Sequence, residues 1–280
     1  MALIIITDSS ADYEPEELSA QNISLVPLSV TFGEESFLDG VNLTKDDFYR
    51  KLKMGGFPTT SQPPPGAFLP IFNKAKQNGD DVLAILISSS LSGTVQSALL
   101  AKEICEYDKI TVIDSLTTVT GLRLLVNIAV KMRDENIPLA AIAQKIEELT
   151  AKIRIFASVN TLDYLHKGGR LTKTQATVGN MLKLKPLIAV NKKGEVVLWA
   201  KCLGLNKAIN RLIKALEDYP PDFNYPILLP FASDNANCLK LAKAAKELYP
   251  PIDASNAVNI GPTIGAHVGP NAFGITYIQA

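Results

Sequence analysis

The chain is poor in the side chains that metal binding and nucleophilic catalysis draw on most. Its 280 residues include three cysteines, two histidines and one tryptophan. Cys105, Cys202 and Cys238 are odd in number and widely spaced, which argues against a disulfide framework and a cysteine-rich metal centre. They read as reduced, mostly buried thiols of a cytoplasmic protein. Charge of one sign is also lacking: Lys plus Arg and Asp plus Glu are 28 each. No broad basic surface is left for nucleic acid or for a strongly anionic membrane. No apolar run approaches the ~20 residues of a spanning helix, so any lipid partner is met in water or at a transient membrane surface. Ser92 has no G-x-S-x-G around it, and neither G-x-x-x-x-G-K nor H-E-x-x-H occurs. These absences remove the common motif-bearing hydrolases, phosphate-loop kinases and zinc proteases.

What is present is apolar residue in quantity, 47% of the chain, arranged in short aliphatic runs. Ala2–Ile6, Val82–Ile87 and Ile110–Asp114 read as buried strands. The start reads as the first of these, and not as a secretory segment. Helices are expected at 45–54 with Thr44 as N-cap, after the proline-rich loop 58–66, from Ser92 onward, and after Ser115. Pro138–Ile153 is amphipathic, with Ile142, Ile146, Leu149 and Ile153 on one face. Alternation of this kind predicts a doubly wound parallel α/β sheet over residues 1–155, with a small hairpin excursion near 24–41 turning at Gly33. Residues 156–280 change style. A strand and a basic glycine turn at 154–173, a hairpin turning near Lys193-Gly194, helices at 206–218 and 236–248 and strands at 225–234 and 272–278 predict a mixed α+β second domain.

Ligands in such sheets sit beyond the carboxyl ends of strands. Three polar strand ends fall there: Asp8-Ser9-Ser10, Ser88–Thr94 and Asp114-Ser115. At the middle one, "SSSLSGT", unpartnered N–H groups at a helix start, a glycine permitting close approach and the hydroxyls of Ser92 and Thr94 suit a carboxylate or phosphate. A plain helix cap by Ser92 fits the same residues. "PTTSQPPPG" offers Thr59, Thr60 and Ser61 on a stiffened segment that reads otherwise as a solvated loop. "NIGPTIGAHVGPNAFG" surrounds His267 with two Gly-Pro pairs, which suits a positioned imidazole or a histidine satisfied in a turn. "HKGGR", His166 to Arg170, reads as a solvated basic knob or a docking point.

In order along the chain, "ITDSSAD", "PLSV…DG", "TTSQP", "SSSLSGTVQSA", "VIDS", "HKGGRLTKTQATVGNMLKLKPLI" and "IGAHVGP…GI" resemble the DegV family. That family includes the fatty-acid-binding subunits of bacterial fatty acid kinase. The resemblance implies two α/β domains with a long-chain fatty acid between them as ligand, no cofactor and no metal. It implies a non-catalytic carrier whose partner is the ATP-binding subunit of a fatty acid kinase. Its carboxylate contacts map to Thr60, Ser92 and His267, with Ser61, Gly93, Thr94 and Gly265 as neighbours. Arg170 and Lys201 map to partner docking. One departure stands out: the basic run common after the family's hairpin is here "AKCLGLNKAINR", with Leu203 and Leu205 where arginine or lysine is frequent. A rival expectation is a serine hydrolase using Ser92 as nucleophile and His267 as base.

Overall fold

The computed structural model describes residues 2–171 and 184–280. The segment "TKTQATVGNMLK" of the family-like stretch therefore lies outside the described residues. Four parallel strands form the first sheet: β1 (Leu3–Asp8), β2 (Ile23–Val26), β6 (Asp81–Leu86) and β7 (Ile110–Asp114), in the order β2-β1-β6-β7. Their aliphatic runs are continuous because both faces are covered, as in parallel sheets generally. Alternate residues separate the two faces. Ile6, Val82, Ala84 and Leu86 meet α3 (Leu69–Asn78) and α4 (Thr94–Cys105) through Phe72, Ala75 and Ala98. Ile5, Leu83 and Ile85 meet α5 (Val119–Asp134) and α6 (Leu139–Thr150) through Leu122, Leu125, Ile142 and Ile146.

The second sheet has six strands: β8 (Ile153–Ser158), β9 (Leu184–Val190), β10 (Val196–Leu203), β11 (Leu229–Phe231), β12 (Ala257–Asn259) and β13 (Phe273–Ile278). Their order is β10-β9-β8-β13-β11-β12, antiparallel except for the β11/β12 pair. One face carries α8 (Leu205–Asp218) and α9 (Ala236–Lys246), packed through Leu212, Leu216 and Leu241 on Leu187, Ile275 and Tyr277. The other face turns toward α5, which lies between the two sheets. That position explains why this helix buries Leu122, Leu124 and Leu125 together with Thr120, Gly121 and Arg123. Thr120 Oγ1 lies 2.6 Å from Thr276 Oγ1, satisfying two hydroxyls in the dry seam.

A third, small sheet runs β4-β3-β5, from β3 (Ser29–Phe32), β4 (Glu35–Leu38) and β5 (Thr59–Ser61). β3 and β4 are the expected hairpin, and Gly33 takes its turn at φ +59°. Below it lies α2 (Lys45–Lys53), capped by Thr44 as expected. The remaining described helices are α1 (Pro15–Ala20), α7 (Asp163–Lys167) and α10 (Pro262–Val268).

Several local expectations need correction. Thr59–Ser61 is a strand, because its register with β3 supplies backbone partners that a loop would take from water. Ile153 opens β8 and does not close α6; it is buried all the same. Residues 262–268, expected as pinned turns, form a helix begun by Pro262, whose fixed φ suits a first helical position. Ser92 caps nothing, since Gly93 holds the N-cap place of α4.

α10 sits tightly on α2. A Cβ at Gly265 would fall 2.6 Å from Phe48 Cε1 and 3.0 Å from the Tyr49 hydroxyl. Both neighbours are buried and packed edge to face on each other, which leaves little space to yield. Gly265→Ala is expected to lower unfolding free energy by about 1–3 kcal/mol. Chemical denaturation measures it, and an unchanged midpoint would mean that the helix can slide.

Candidate functional site

Between the sheets lies a cavity of about 850 Å³ when all the unfilled space between its walls and at its open mouth is counted. Its walls are mostly aliphatic. Ile155 and Ala157 come from one face of β8, Ile188 from β9, Ile87 from just after β6, Ile260 from just before α10 and Ile264 from its first turn. Polar side chains are few: Thr60, Gln62, Ser92, Thr118, Arg170, Thr263 and His267. Arg170 is the one side chain with a fixed charge among the described lining residues.

The strand-end acids organise the loop that carries Ser92. Buried Asp8 accepts the N–H of Ile87 at 2.7 Å and that of Ser10 at 3.0 Å, tying the end of β1 to the end of β6. Desolvation outweighs these bonds and raises its carboxyl above the usual range. Asp114 accepts the N–H groups of Ser89 and Leu116 at 3.1 and 3.0 Å. The chain then closes back, Ser92 N–H donating to Ser88 O at 3.1 Å. Of the three polar strand ends, Ser92 is the hydroxyl residue at the cavity, its Oγ 2.8 Å from Thr94 Oγ1.

His267 is placed by what holds α10. Gly261 donates its N–H to Asp12 Oδ1 at 2.9 Å, and Thr263 donates to Asp39 Oδ2 at 3.0 Å. The Tyr49 hydroxyl donates to Ile260 O at 2.9 Å. At the other end of α10, His267 Nε2 lies 2.8 Å from Thr60 Oγ1, while its buried Nδ1 makes no hydrogen bond among the described residues. Gly168 packs directly against that nitrogen, leaving no room for a side chain. Burial, with a smaller contribution from the Arg170 guanidinium, pushes the imidazole down to about 4, so it is neutral at pH 7.

Thr60, Ser92 and His267 thus line one cavity. Their expected neighbours divide. Thr94 is buried and reaches the cavity through Ser92. Gly93 is where Gln62 lies across the start of α4, its Nε2 donating to Ser97 Oγ at 3.1 Å. Ser61 follows Thr60 on β5, points to the opposite face and is exposed. Gly265 faces α2. Arg170 lies at the cavity, donating through Nε to Leu91 O at 3.0 Å and through NH1 to Gly168 O at 2.6 Å. Lys201 stands exposed on the edge strand β10, outside the cavity lining. Ser92 and His267 are not bonded to each other, since each spends its bond on a threonine. Sequence reasoning missed Gln62, Thr118 and Thr263 as lining residues. Gln62 had a signal, the fixed place of glutamine beside Thr60; the other two had none.

The two α/β units thus frame an apolar cavity with a small polar end. The model for the DegV family, described as uncharacterised proteins, matches residues 2–280. The chain belongs to that family. A DegV domain-containing protein of Caldanaerobacter subterraneus is 33% identical over 98% of both chains. A fatty-acid-binding DegV protein of Thermus thermophilus superposes with TM-score 0.87 at 29% identity over 100% of both chains. A stearic-acid-binding protein of Eubacterium ventriosum gives TM-score 0.88 at 28% identity, over 100% of this chain and 98% of that one.

The histidine's burial sets a pH dependence. Below its unfolded value of about 6.5 the unfolded chain takes a proton that the folded one refuses until about 4. Stability is therefore lost as pH falls through that window, by up to about 3 kcal/mol. His267→Gln is expected to flatten this slope when denaturant unfolding of both proteins is compared between about pH 7 and pH 4. Parallel slopes would show an imidazole that protonates freely in the folded state.

Proposed function

We propose that the protein is a non-catalytic cytoplasmic carrier of a long-chain fatty acid, held between units 1–155 and 156–280. The observation that carries this reading is the apolar cavity closed by Thr60, Ser92, His267 and Arg170. The 155/156 division falls within β8, and Ile155 and Ala157, one on each side of it, both line the cavity. A C16 chain buries methylenes at ~0.8 kcal/mol each, a gross transfer of about 10 kcal/mol. A hydroxyl bond to a carboxylate adds about 1.5–3 kcal/mol. The tail supplies affinity, and the polar end sets position and direction. Neutral His267 and the two hydroxyls accept an anion without repelling it, and Arg170 offsets its charge.

The carboxylate is presented to a second protein, the ATP-binding subunit of a fatty acid kinase, for conversion to an acyl phosphate. Support for this step comes from the family resemblance, with Arg170 and exposed Lys201 as docking charges. Leu203, which is 53% exposed beside Lys201, replaces a charge by an apolar contact at that surface.

Mass spectrometry of an organic extract of the purified protein should identify a bound long-chain acid. Ser92→Ala is expected to weaken binding of a fluorescent fatty acid only a few-fold, and to reduce acyl-phosphate formation with the kinase subunit more. Complete loss of binding in a folded variant would contradict a tail-dominated site.

A further inference from the structure

Gln62 is the one exposed residue among the described residues that line the cavity; the others are buried or half-buried. The cavity wall meets solvent there. The chain dictates this place. Gln62 directly follows β5 and continues the alternation that sends Thr60 toward the cavity and Ser61 away from it. Pro63 comes next, and a residue before proline is restricted to extended backbone. The backbone at Gln62 is therefore stiff, and the part free to move is its long side chain.

That side chain crosses from β5 to the start of α4. Its Nε2 donates to the hydroxyl of buried Ser97 at 3.1 Å. The carboxamide lies directly against Gly93, the residue after Ser92. A Cβ at Gly93 would fall 2.6 Å from Gln62 Cδ and 2.7 Å from Nε2, and closer still to Oε1. Only a residue without a side chain admits this approach. The closed placement is held lightly. Glutamine is among the side chains that lose most rotamer freedom when fixed. A neutral hydrogen bond contributes a net free energy of the same order. Open and closed placements of the carboxamide therefore lie close in free energy.

We propose that the Gln62 carboxamide is a latch over the polar end of the cavity, closed on Gly93 and Ser97 and swung outward while a fatty acid enters or leaves. The proposal rests on the carrier reading and adds a control of exchange to it. The latch is a barrier and not a contact for the ligand, since Thr60, Ser92, His267 and Arg170 stand at the polar end whether it is open or closed. Removing such a barrier speeds passage in both directions and leaves affinity nearly unchanged.

The test is stopped-flow binding of cis-parinarate, a fluorescent long-chain fatty acid, to delipidated protein. Gln62→Ala and Ser97→Ala are expected to raise the association and dissociation rates together by about three- to tenfold, the range of one net hydrogen bond, with Kd within about twofold of wild type. Gly93→Ala should do the same in the wild-type background, because a methyl group there expels the carboxamide. It should add little to Gln62→Ala, where nothing is left to expel. Thermal unfolding of each variant verifies the fold. The proposal is overturned if Gln62→Ala exchanges ligand at wild-type rates. It is overturned equally if only the dissociation rate rises, which would make Gln62 a ligand contact, or if Gly93→Ala acts as strongly without Gln62 as with it. Failure of wild type to bind either this probe or stearate would instead overturn the carrier reading itself.

Discussion

Two backbone N–H groups, those of Gly261 and Thr263, end on the buried carboxylates of Asp12 and Asp39, and the placing of the cavity's polar end depends on them. α10 has seven residues, well below the ~12–15 at which an isolated helix becomes marginal in water. It exists because its first turn is held from outside and because Gly265 lets it settle on Phe48 and Tyr49. His267, Thr263 and Ile264 reach the cavity only from that docked position. The holding groups are themselves under load. Burial pushes Asp12 up to about 8 against the pull of nearby Lys45, and Asp39 up to about 6 against the hydrogen bonds it takes from Thr263.

The electrostatics of the cavity follow the same economy. An ionised histidine at its end would need a counter-charge that the described walls do not offer, so the imidazole stays neutral and bonds to Thr60. Arg170 keeps its charge because two backbone carbonyls take its Nε and NH1 donors. The bond to Leu91 also joins the glycine turn of the second half to the Ser92 loop of the first. On the carrier reading, a carboxylate placed here would meet one fixed cation and several neutral dipoles, with the apolar walls around the tail.

Sequence pattern exposed the buried strands well, since Leu3–Asp8, Asp81–Leu86 and Ile110–Asp114 are aliphatic and bounded by turn residues. It exposed Thr60, Ser92 and His267 through family likeness more than through chemistry, because each residue fits a cap, a loop or a turn equally well when seen alone. Thr59–Ser61 was illegible as a strand: three polar residues reveal nothing until β3, some thirty residues earlier, supplies the partner. The cavity walls were illegible for a different reason. Ile155 and Ile188 line the cavity while Phe156 and Leu187, their chain neighbours, face the other side of the sheet, and aliphatic composition does not distinguish a wall from a core.

An apolar cavity of this size also has to resist collapse. Protein interiors are close-packed, and a void forfeits dispersion contacts around its whole lining. Here the walls are not free to close. β8 and β9 are fixed on their far face by α8 and by the Phe156–Trp199 ring contact, with centroids 4.3 Å apart. α5 is clamped between the sheets, and its entrance at Val119 is locked in a strained turn at φ +52°. The walls formed by β8, β9 and α5 are braced from behind, so a ligand between them would restore the missing contacts. A ligand that restores them binds the folded chain and not the unfolded one, and stability then rises with its concentration relative to Kd. On the carrier reading, the tail completes the hydrophobic core, and removing it leaves the same fold with part of its interior unfilled.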